Sequence, residues 1–359
     1  MPAAKKFLVC PLDWGLGHAT RLVPVIEALL ERGAEVIIGA DNRPYDFLSR
    51  RFPRTELVRI TGYVPHYPDK GSMALTLLKE FPAMKKAAVR AQRYLEDIVS
   101  RRGIDVVISD NRYELYAKGA YTIFISHQLN IRTPGITRIF KPLVQKVMNG
   151  YIRKFDELWI PDLKGPGNLS GALSSPGHYP LGRVYHVGLL SRFSKELKIR
   201  EAKPFDLLVI LSGPEPQRSI LEKMLATQVR ESGLDAVFVQ GKPEETEPWK
   251  EGNIRYFPHV DDETFAGLLT SCRIVLSRPG YSTLMDLAVF GKRAILIPTP
   301  GQTEQEYLAE QVTKSKYHYS ARQKKFDLAL ALEKVSTCEG LTAEPSNEIL
   351  QQRLDELMS

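Results

Sequence analysis

Near its start the chain carries an apolar run at 7–12. Leu22, Val25, Ile26, Leu29 and Leu30 then recur at helical spacing as far as Gly33, and Val36-Ile37-Ile38 follows. That is the pattern of strand, helix and strand from which parallel sheets are built, with Gly33 placed to end the helix. Three further short apolar runs end in polar residues: 104–108 before Ser109-Asp110, 122–125 before Ser126-His127, and 158–160 before Pro161-Asp162. In open α/β sheets, residues just past the carboxyl ends of strands line the binding crevice. From 161 to 188 Gly, Pro and Ser become dense, which predicts an interdomain connection.

The pattern then restarts. A strand at 205–211 runs into Ser212-Gly213-Pro214-Glu215-Pro216 and a helix to about 231, with strands at 236–239 and 254–257. Asp261 reads as the N-cap of a helix ending near Cys272, followed by a strand at 274–276, a helix at 281–290 stopped by Gly291, and a strand at 294–297. Thr303 and Glu306 have capping-box spacing and predict one more helix. The fold class expected is α/β, with two Rossmann-like domains facing each other across a cleft. The expected bounds are 1–186, 187–340 and a C-terminal helix within 341–359 that packs back on the first domain.

Composition narrows the class. With 359 residues, the chain exceeds what one hydrophobic core usually organises. Cys10, Cys272 and Cys338 are far apart and form no CxxC, so neither a disulfide framework nor a structural zinc site is indicated, and a cytoplasmic setting is expected. The apolar run behind Lys5-Lys6 is too short for a signal peptide, and no segment approaches the roughly 20 apolar residues of a membrane span. Net charge is +7, and its placement matters more than its total. Between 115 and 155 there is no Asp or Glu, while Lys118, Arg132, Arg138, Lys141, Lys146, Arg153 and Lys154 alternate with Ile136, Ile139, Phe140, Leu143, Val144, Val147 and Ile152. A basic amphipathic stretch at 132–154 predicts peripheral docking on an anionic membrane surface or a phosphate-bearing lipid, with Lys85, Lys86, Arg90 and Arg93 extending it; the competing reading is a solvated helix face. No nucleic-acid reader motif accompanies the charge, so nucleic acid is not an expected partner.

Two distant stretches carry the candidate chemistry. Asp13-Trp14-Gly15-Leu16-Gly17-His18-Ala19-Thr20-Arg21 and Ser277-Arg278-Pro279-Gly280-Tyr281-Ser282-Thr283-Leu284-Met285-Asp286 each place a glycine loop between a strand and a helix. Such a loop aims backbone N–H groups and a positive helix end at an anion. Behind Gly15 and Gly17, His18 stands at the mouth of a helix, where an imidazole can take a proton from an attacking hydroxyl; Asp13, Asp110 and His127 are rival bases. Arg21 in a first helical turn opposes the helix dipole, which favours an anion contact; Arg21 and Asp110 are both expected on the acceptor side. Gly280, the Ser282 and Thr283 hydroxyls and Arg278 are candidates for a diphosphate, the alternative being that Gly280 only permits a tight turn. Gln305 has an amide that both donates and accepts, and the backbone of His259 and Val260 follows directly on a strand. The chain contains no Asp-x-Asp, so no metal and no other cofactor is expected.

These residues resemble the GT-B glycosyltransferases, in particular the family-28-like branch containing the bacterial N-acetylglucosaminyltransferase of the lipid-linked peptidoglycan precursor. Gly15-Leu16-Gly17-His18 is similar to that branch's glycine loop, and His127-Gln128-Leu129-Asn130 to its His-Glu-Gln-Asn region, which puts Asn130 on the acceptor side. The segment from Val260-Asp261-Asp262 through Ser277-Arg278-Pro279-Gly280, Thr283, Asp286, Gly291, Ile297-Pro298 and Glu304-Gln305 to Ala309 follows its nucleotide-sugar signature. The resemblance implies a UDP-sugar donor as co-substrate, inverting transfer without a metal, Asp286 on the ribose hydroxyls, Gln305 on sugar hydroxyls, the His259 and Val260 backbone on the base edge, Arg192 near the phosphates, and Ser212 and Gly213 in a donor loop. Asp286 stands where glutamate is usual, Leu308 where asparagine is common, and 212–216 replaces a Gly-Gly-Ser loop. These departures argue against the peptidoglycan reaction itself. A nucleotide-sugar hydrolase, a non-catalytic sugar-nucleotide or lipid binder and, more weakly, an epimerase are the alternatives.

Overall fold

The computed structural model describes residues 4–63, 73–131, 139, 141–165, 167–193, 199–213, 215–245, 247–343 and 347–359, with side chains from 79 onward in the helix that begins at 73. The chain divides into two compact units. One is Met1–Pro65, Leu77–Leu190 and Pro345–Ser359; the other is His66–Thr76 and Ser191–Glu344.

The first unit is a seven-stranded parallel sheet: β1 (Lys6–Cys10), β2 (Glu35–Ala40), β3 (Glu56–Arg59), β4 (Val106–Asp110), β5 (Tyr121–Ile125), β6 (Glu157–Ile160) and β7 (Val184–His186), in spatial order β3-β2-β1-β4-β5-β6-β7. Its helices are α1 (Leu16–Glu31), α2 (Asn42–Arg51), α3 (Met73–Arg102) and α4 (Lys141–Ile152). Alternation along the strands feeds both faces, which is why β1 reads as an unbroken apolar run. Phe7 and Val9 join Leu22, Val25, Ile26 and Leu29 of α1, while Leu8 and Cys10 join Leu95, Ile98 and Val99 of α3. Gly33, at φ +75, ends α1 as its sequence position predicts.

The second unit repeats the plan with β8 (Phe205–Ile210), β9 (Ala236–Val239), β10 (Trp249–Glu251), β11 (Ile254–Phe257), β12 (Cys272–Ser277), β13 (Ala294–Leu296) and β14 (Tyr319–Ser320), in order β10-β11-β9-β8-β12-β13-β14. Only β10 runs antiparallel to its neighbour, β11, among these pairings. The helices are α5 (Gln217–Ser232), α6 (Asp262–Ser271), α7 (Tyr281–Phe290), α8 (Thr303–Lys314) and α9 (Leu328–Ser336). The Asp261 side chain caps α6 by accepting the Thr264 N–H, and Gly291, at φ +60, stops α7. A last helix, α10 (Glu348–Met358), belongs to the first unit. It buries Leu350, Leu354 and Leu357 beside the α1 cluster, each contributing at most about 1.5–3 kcal/mol.

Two expectations change. The glycine- and proline-rich stretch at 161–188 is not a free connection: it folds into the first unit and supplies β7 as the edge strand. Buried Asp162 organises it, its carboxylate accepting the backbone N–H groups of Leu163, Leu169 and Ser170. The capping box at Thr303 also does not form. Gln302 is the cap residue, Thr303 is already helical, and the Glu306 carboxylate accepts the Gly301 N–H at 3.2 Å instead.

His318, between α8 and β14, is 1% exposed and neither ring nitrogen has a hydrogen-bond partner. Burial holds its pKa down, at about 4. Above about pH 6.5 the ring is neutral whether the chain is folded or not. As pH falls from there toward 4, the unfolded chain takes the proton first and stability is lost, by about 2 kcal/mol at pH 5. His318→Leu is expected to flatten the fall in urea-unfolding stability between pH 7.5 and 5; an unchanged pH dependence would count against this.

Candidate functional site

In each sheet the strand order reverses direction once, and binding residues of open α/β sheets collect at that point. In the first unit the reversal lies between β1 and β4, whose ends are in register through Cys10 and Ser109. Asp110 is therefore the last strand residue beside the loop that leads into α1. Gly15 caps α1 at φ +154, ψ 175, a conformation that a side chain disfavours, and the turn brings His18 back over the sheet edge.

Four of the residues singled out in sequence meet here. Asp110, fully buried, accepts Arg21 Nε at 2.7 Å and a second bond from Arg21 Nη2, while His18 Nδ1 lies 3.1 Å from Asp110 Oδ2. Arg21 Nη1 is 2.9 Å from His127 Nδ1, and its Nη2 is 3.0 Å from His18 Nδ1. Burial opposes the Asp110 charge, but Arg21 and His18 outweigh it and hold the carboxyl below the usual carboxylate range. For His18, burial is the larger influence and overcomes the pull of Asp110, so the imidazole is neutral at neutral pH. With its Nδ1 engaged, a side chain 20% exposed has Nε2 as the nitrogen for a substrate proton.

The rival bases fare differently. Asp13 is buried in an ion pair with Arg112 Nη1 at 2.9 Å and also accepts the Asp41 N–H, so it holds a loop. A Cβ on Gly62 would stand 2.9 Å from Asp13 Oδ2, so the backbone at Gly62 packs closely against this carboxylate. His127 is 4% exposed, and its Nδ1 meets Arg21, behind His18 in the cluster. Arg21 is spent on Asp110 and the two imidazoles, which removes it as an exposed acceptor contact. Asn130 donates its side-chain amide to the Ala172 carbonyl and its backbone N–H to the Leu173 carbonyl, so it is a loop tie as well. Gly17 is the second residue of α1.

In the second unit the reversal lies between β8 and β12, in register at Ile210 and Ser277, so the loops 211–216 and 278–280 and the starts of α5 and α7 adjoin. Gly280 caps α7 at φ −74, ψ 143, an ordinary extended conformation, and an added Cβ would meet only Thr283 Oγ1 at 3.6 Å. Neither backbone strain nor internal packing requires glycine there. No side chain caps α7 and no acid lies in its first turn. Ser282 and Thr283 are half-buried in that turn. Gly213 is at φ +95 with open space around its Cβ position, beside Ser212.

Arg278 corrects its expected role. It is 1% exposed and donates to the carbonyls of Ile297 (3.0 Å) and Gln217 (3.1 Å), and burial lowers its pKa to about 10. The guanidinium ties the loops after β12 and β13 to the start of α5 and does not face a ligand. Arg192 is likewise engaged, 3.1 Å from the Asp262 carboxylate and over the rings of Phe193 and Phe265. Asp286 is half-buried. Its Oδ1 accepts Ser191 Oγ at 2.8 Å, and burial, opposed by Arg192 and Ser191, pushes its pKa up to about 6. Gln305 Oε1 accepts the Thr299 N–H at 2.8 Å, fixing the loop after β13. His259 is half-buried and Val260 buried, after β11 and immediately before the α6 cap.

Sequence reasoning missed Arg112 and Ser191. Arg112 pairs across 99 residues with Asp13, Ser191 across 95 with Asp286, and no local spacing announces either. Among the described residues no three His, Cys, Asp or Glu converge as a metal-ligand set.

Comparison with known proteins agrees with this layout. Residues 222–354 match the glycosyltransferase family 28 C-terminal domain. A Methanosarcina acetivorans protein described as an uncharacterized glycosyltransferase is 23% identical over 320 residues, 84% of this chain and 79% of its own. The UDP-N-acetylglucosamine--N-acetylmuramyl-(pentapeptide) pyrophosphoryl-undecaprenol N-acetylglucosamine transferase of Rippkaea orientalis is 26% identical over 251 residues, 66% of this chain and 64% of that protein. The crystal structure of the glycotransferase of kitacinnamycin superposes with a TM-score of 0.63 at 15% identity, covering 100% of this chain and 95% of that one. The chain is a glycosyltransferase of the GT-B fold, similar to family 28, whose C-terminal domain is matched by residues 222–354.

Proposed function

We propose that the chain transfers a sugar from a UDP-sugar to an acceptor hydroxyl with inversion and without a metal. The observation that carries this reading is the His18–Asp110–Arg21 cluster at the strand reversal of the first unit. The acceptor oxygen attacks the anomeric carbon as His18 Nε2 takes its proton. The bond from that carbon to the β-phosphate oxygen breaks, and its electron pair leaves with UDP. Asp110 holds the imidazole and stabilises the imidazolium that forms. The first-turn amides of α7, with Ser282 and Thr283, take up the charge that gathers on the diphosphate. The glycine at 280, which its own surroundings do not demand, supports close approach of that anion. Water in place of the acceptor would give hydrolysis through the same base; donor turnover in the absence of acceptor measures that branch.

Asp286 is assigned to the ribose hydroxyls, its second carboxylate oxygen accepting while Ser191 holds the first. Asp286→Ala is expected to weaken UDP binding roughly tenfold or more in calorimetry, the range of a hydrogen bond to a charged group. With a carboxyl pKa near 6, wild-type affinity should fall as pH drops from 7.5 to 5. Unchanged affinity in the variant would remove Asp286 from the donor site.

The acceptor side is proposed to include an anionic membrane surface. On α4 and just before it, Ile139, Leu143, Val144 and Val147 are 70, 62, 38 and 47% exposed, with Lys146 exposed among them. Ile152 is excluded from this face because it is packed in the core. Arg132, Ile136, Arg138 and Phe140 lie outside the described residues. On α3, Phe81 and Val89 are exposed beside Lys85, Lys86 and Arg90, with Arg93 exposed farther along. Among the described residues no helix is long and apolar enough to cross a membrane. Leu143→Glu with Val147→Glu is expected to abolish sedimentation with phosphatidylglycerol vesicles and leave UDP affinity unchanged; equal sedimentation of both proteins would refute docking here.

A further inference from the structure

We propose that the second unit carries a saccharide-binding groove separate from the donor loops, between α5 and the β10–β11 hairpin. The groove is open to solvent and holds about 280 Å³, just below the roughly 300–1,000 Å³ of sites for drug-sized ligands. That is room for a hexose ring. One wall is a single stripe of α5 that includes Ser219, Glu222 and Arg230; the other is Trp249, Glu251 and Tyr256.

Trp249 and Tyr256 are cross-strand partners, their rings stacked at 4.7 Å and 8°. Tyr256 is buried at the base, whereas Trp249 is 43% exposed on an edge strand. A large exposed indole anchored on a second ring is a flat, rigid apolar platform, and holding it in place costs the ligand little. Around it stand fixed polar groups. The Glu222 carboxylate is held by Arg218 Nη1 at 2.8 Å and by Gln240 Nε2, and Arg230 is paired with Glu251. Glu222 and the Arg230–Glu251 pair therefore offer preset acceptors and donors around one aromatic plane.

A pyranose matches that arrangement, since its C–H face is apolar and its rim of hydroxyls both donates and accepts. A nucleobase would use the plane but lacks the rim of hydroxyls that meets Glu222, Arg230 and Glu251 together. In a chain that transfers sugars, such a groove holds a sugar unit of the acceptor or product glycan away from the reacting hydroxyl. This last step rests on the transfer reading; the binding itself does not.

The chain has three tryptophans, Trp14, Trp159 and Trp249, so 5-fluorotryptophan labelling gives three fluorine resonances, with Trp249 assigned through Trp249→Phe. The full-length protein is titrated with N-acetylglucosamine, glucose, galactose, chitotriose and cellotriose up to tens of millimolar, and separately with adenosine and UDP. A saturable shift of Trp249 with at least one saccharide is expected, with Trp14 and Trp159 still, weakened at least fivefold in Glu222→Gln. UDP affinity should stay within twofold in Glu222→Gln and Trp249→Phe. No saccharide moving Trp249, adenosine moving it equally, or UDP moving it would each overturn the groove. Loss of UDP binding in the wild type bears on the donor assignment alone.

Discussion

His18→Ala is expected to lower kcat by about 10²–10⁴-fold, the range of a positioned general base, while UDP affinity changes less than threefold. The assay is UDP release with a UDP-sugar and acceptor that sustain wild-type turnover. The asymmetry follows from where the residue sits. His18 belongs to the first unit, and the loops assigned to the donor belong to the second. A pH profile sharpens the test. Because burial holds the His18 pKa below its ordinary value, the acid limb of the wild-type kcat profile should fall below about pH 6.5 and vanish in the variant. Full activity in His18→Ala, or an acid limb that survives it, would take the imidazole out of the mechanism.

Arg21→Met should cost about 3–5 kcal/mol of stability in urea unfolding, because it strands the Asp110 carboxylate with 0% of its side chain exposed. Asp110→Asn in the same chain should restore a large part of that loss, since the charge that needed Arg21 is then gone. A double-mutant cycle reads the difference directly. Additive losses would mean that the two side chains are not coupled, and that the cluster does not depend on their ion pair. Activity should stay low in both variants even where stability recovers, because His18 has lost the carboxylate or the guanidinium that fixes its ring.

Much of the sheet framework was legible because strands buried on both faces have to be continuous apolar runs. That is why 7–12, 205–211 and 236–239 read clearly, and why the glycines at 33 and 291 marked helix ends. Elements that bury little were harder to see. α3 runs for 30 residues yet, among its described side chains, turns only Ala87, Ala91, Leu95, Ile98 and Val99 into the core, and β14 spans two residues. The stretch 161–188 misled because a loop organised by a buried carboxylate has the same composition as a linker. At the site, His18, Arg21, Asp110 and His127 were each legible from loop and strand-end positions. Their convergence was not, since it depends on β1 and β4 being neighbours in the sheet. Arg278 was read as a ligand contact because spacing places a residue on a loop without telling whether its side chain turns outward or inward.

The central claim is that the start of α7 is a diphosphate site with a ribose-binding carboxylate one turn further on. A crystal structure of the complex with UDP tests it most directly. β-Phosphate oxygens within hydrogen-bond distance of the Ser282 and Thr283 backbone N–H groups, with the ribose hydroxyls on Asp286, are the expected result. UDP seated elsewhere on the chain, with the α7 end bare and Asp286 bonded only by Ser191, would contradict it.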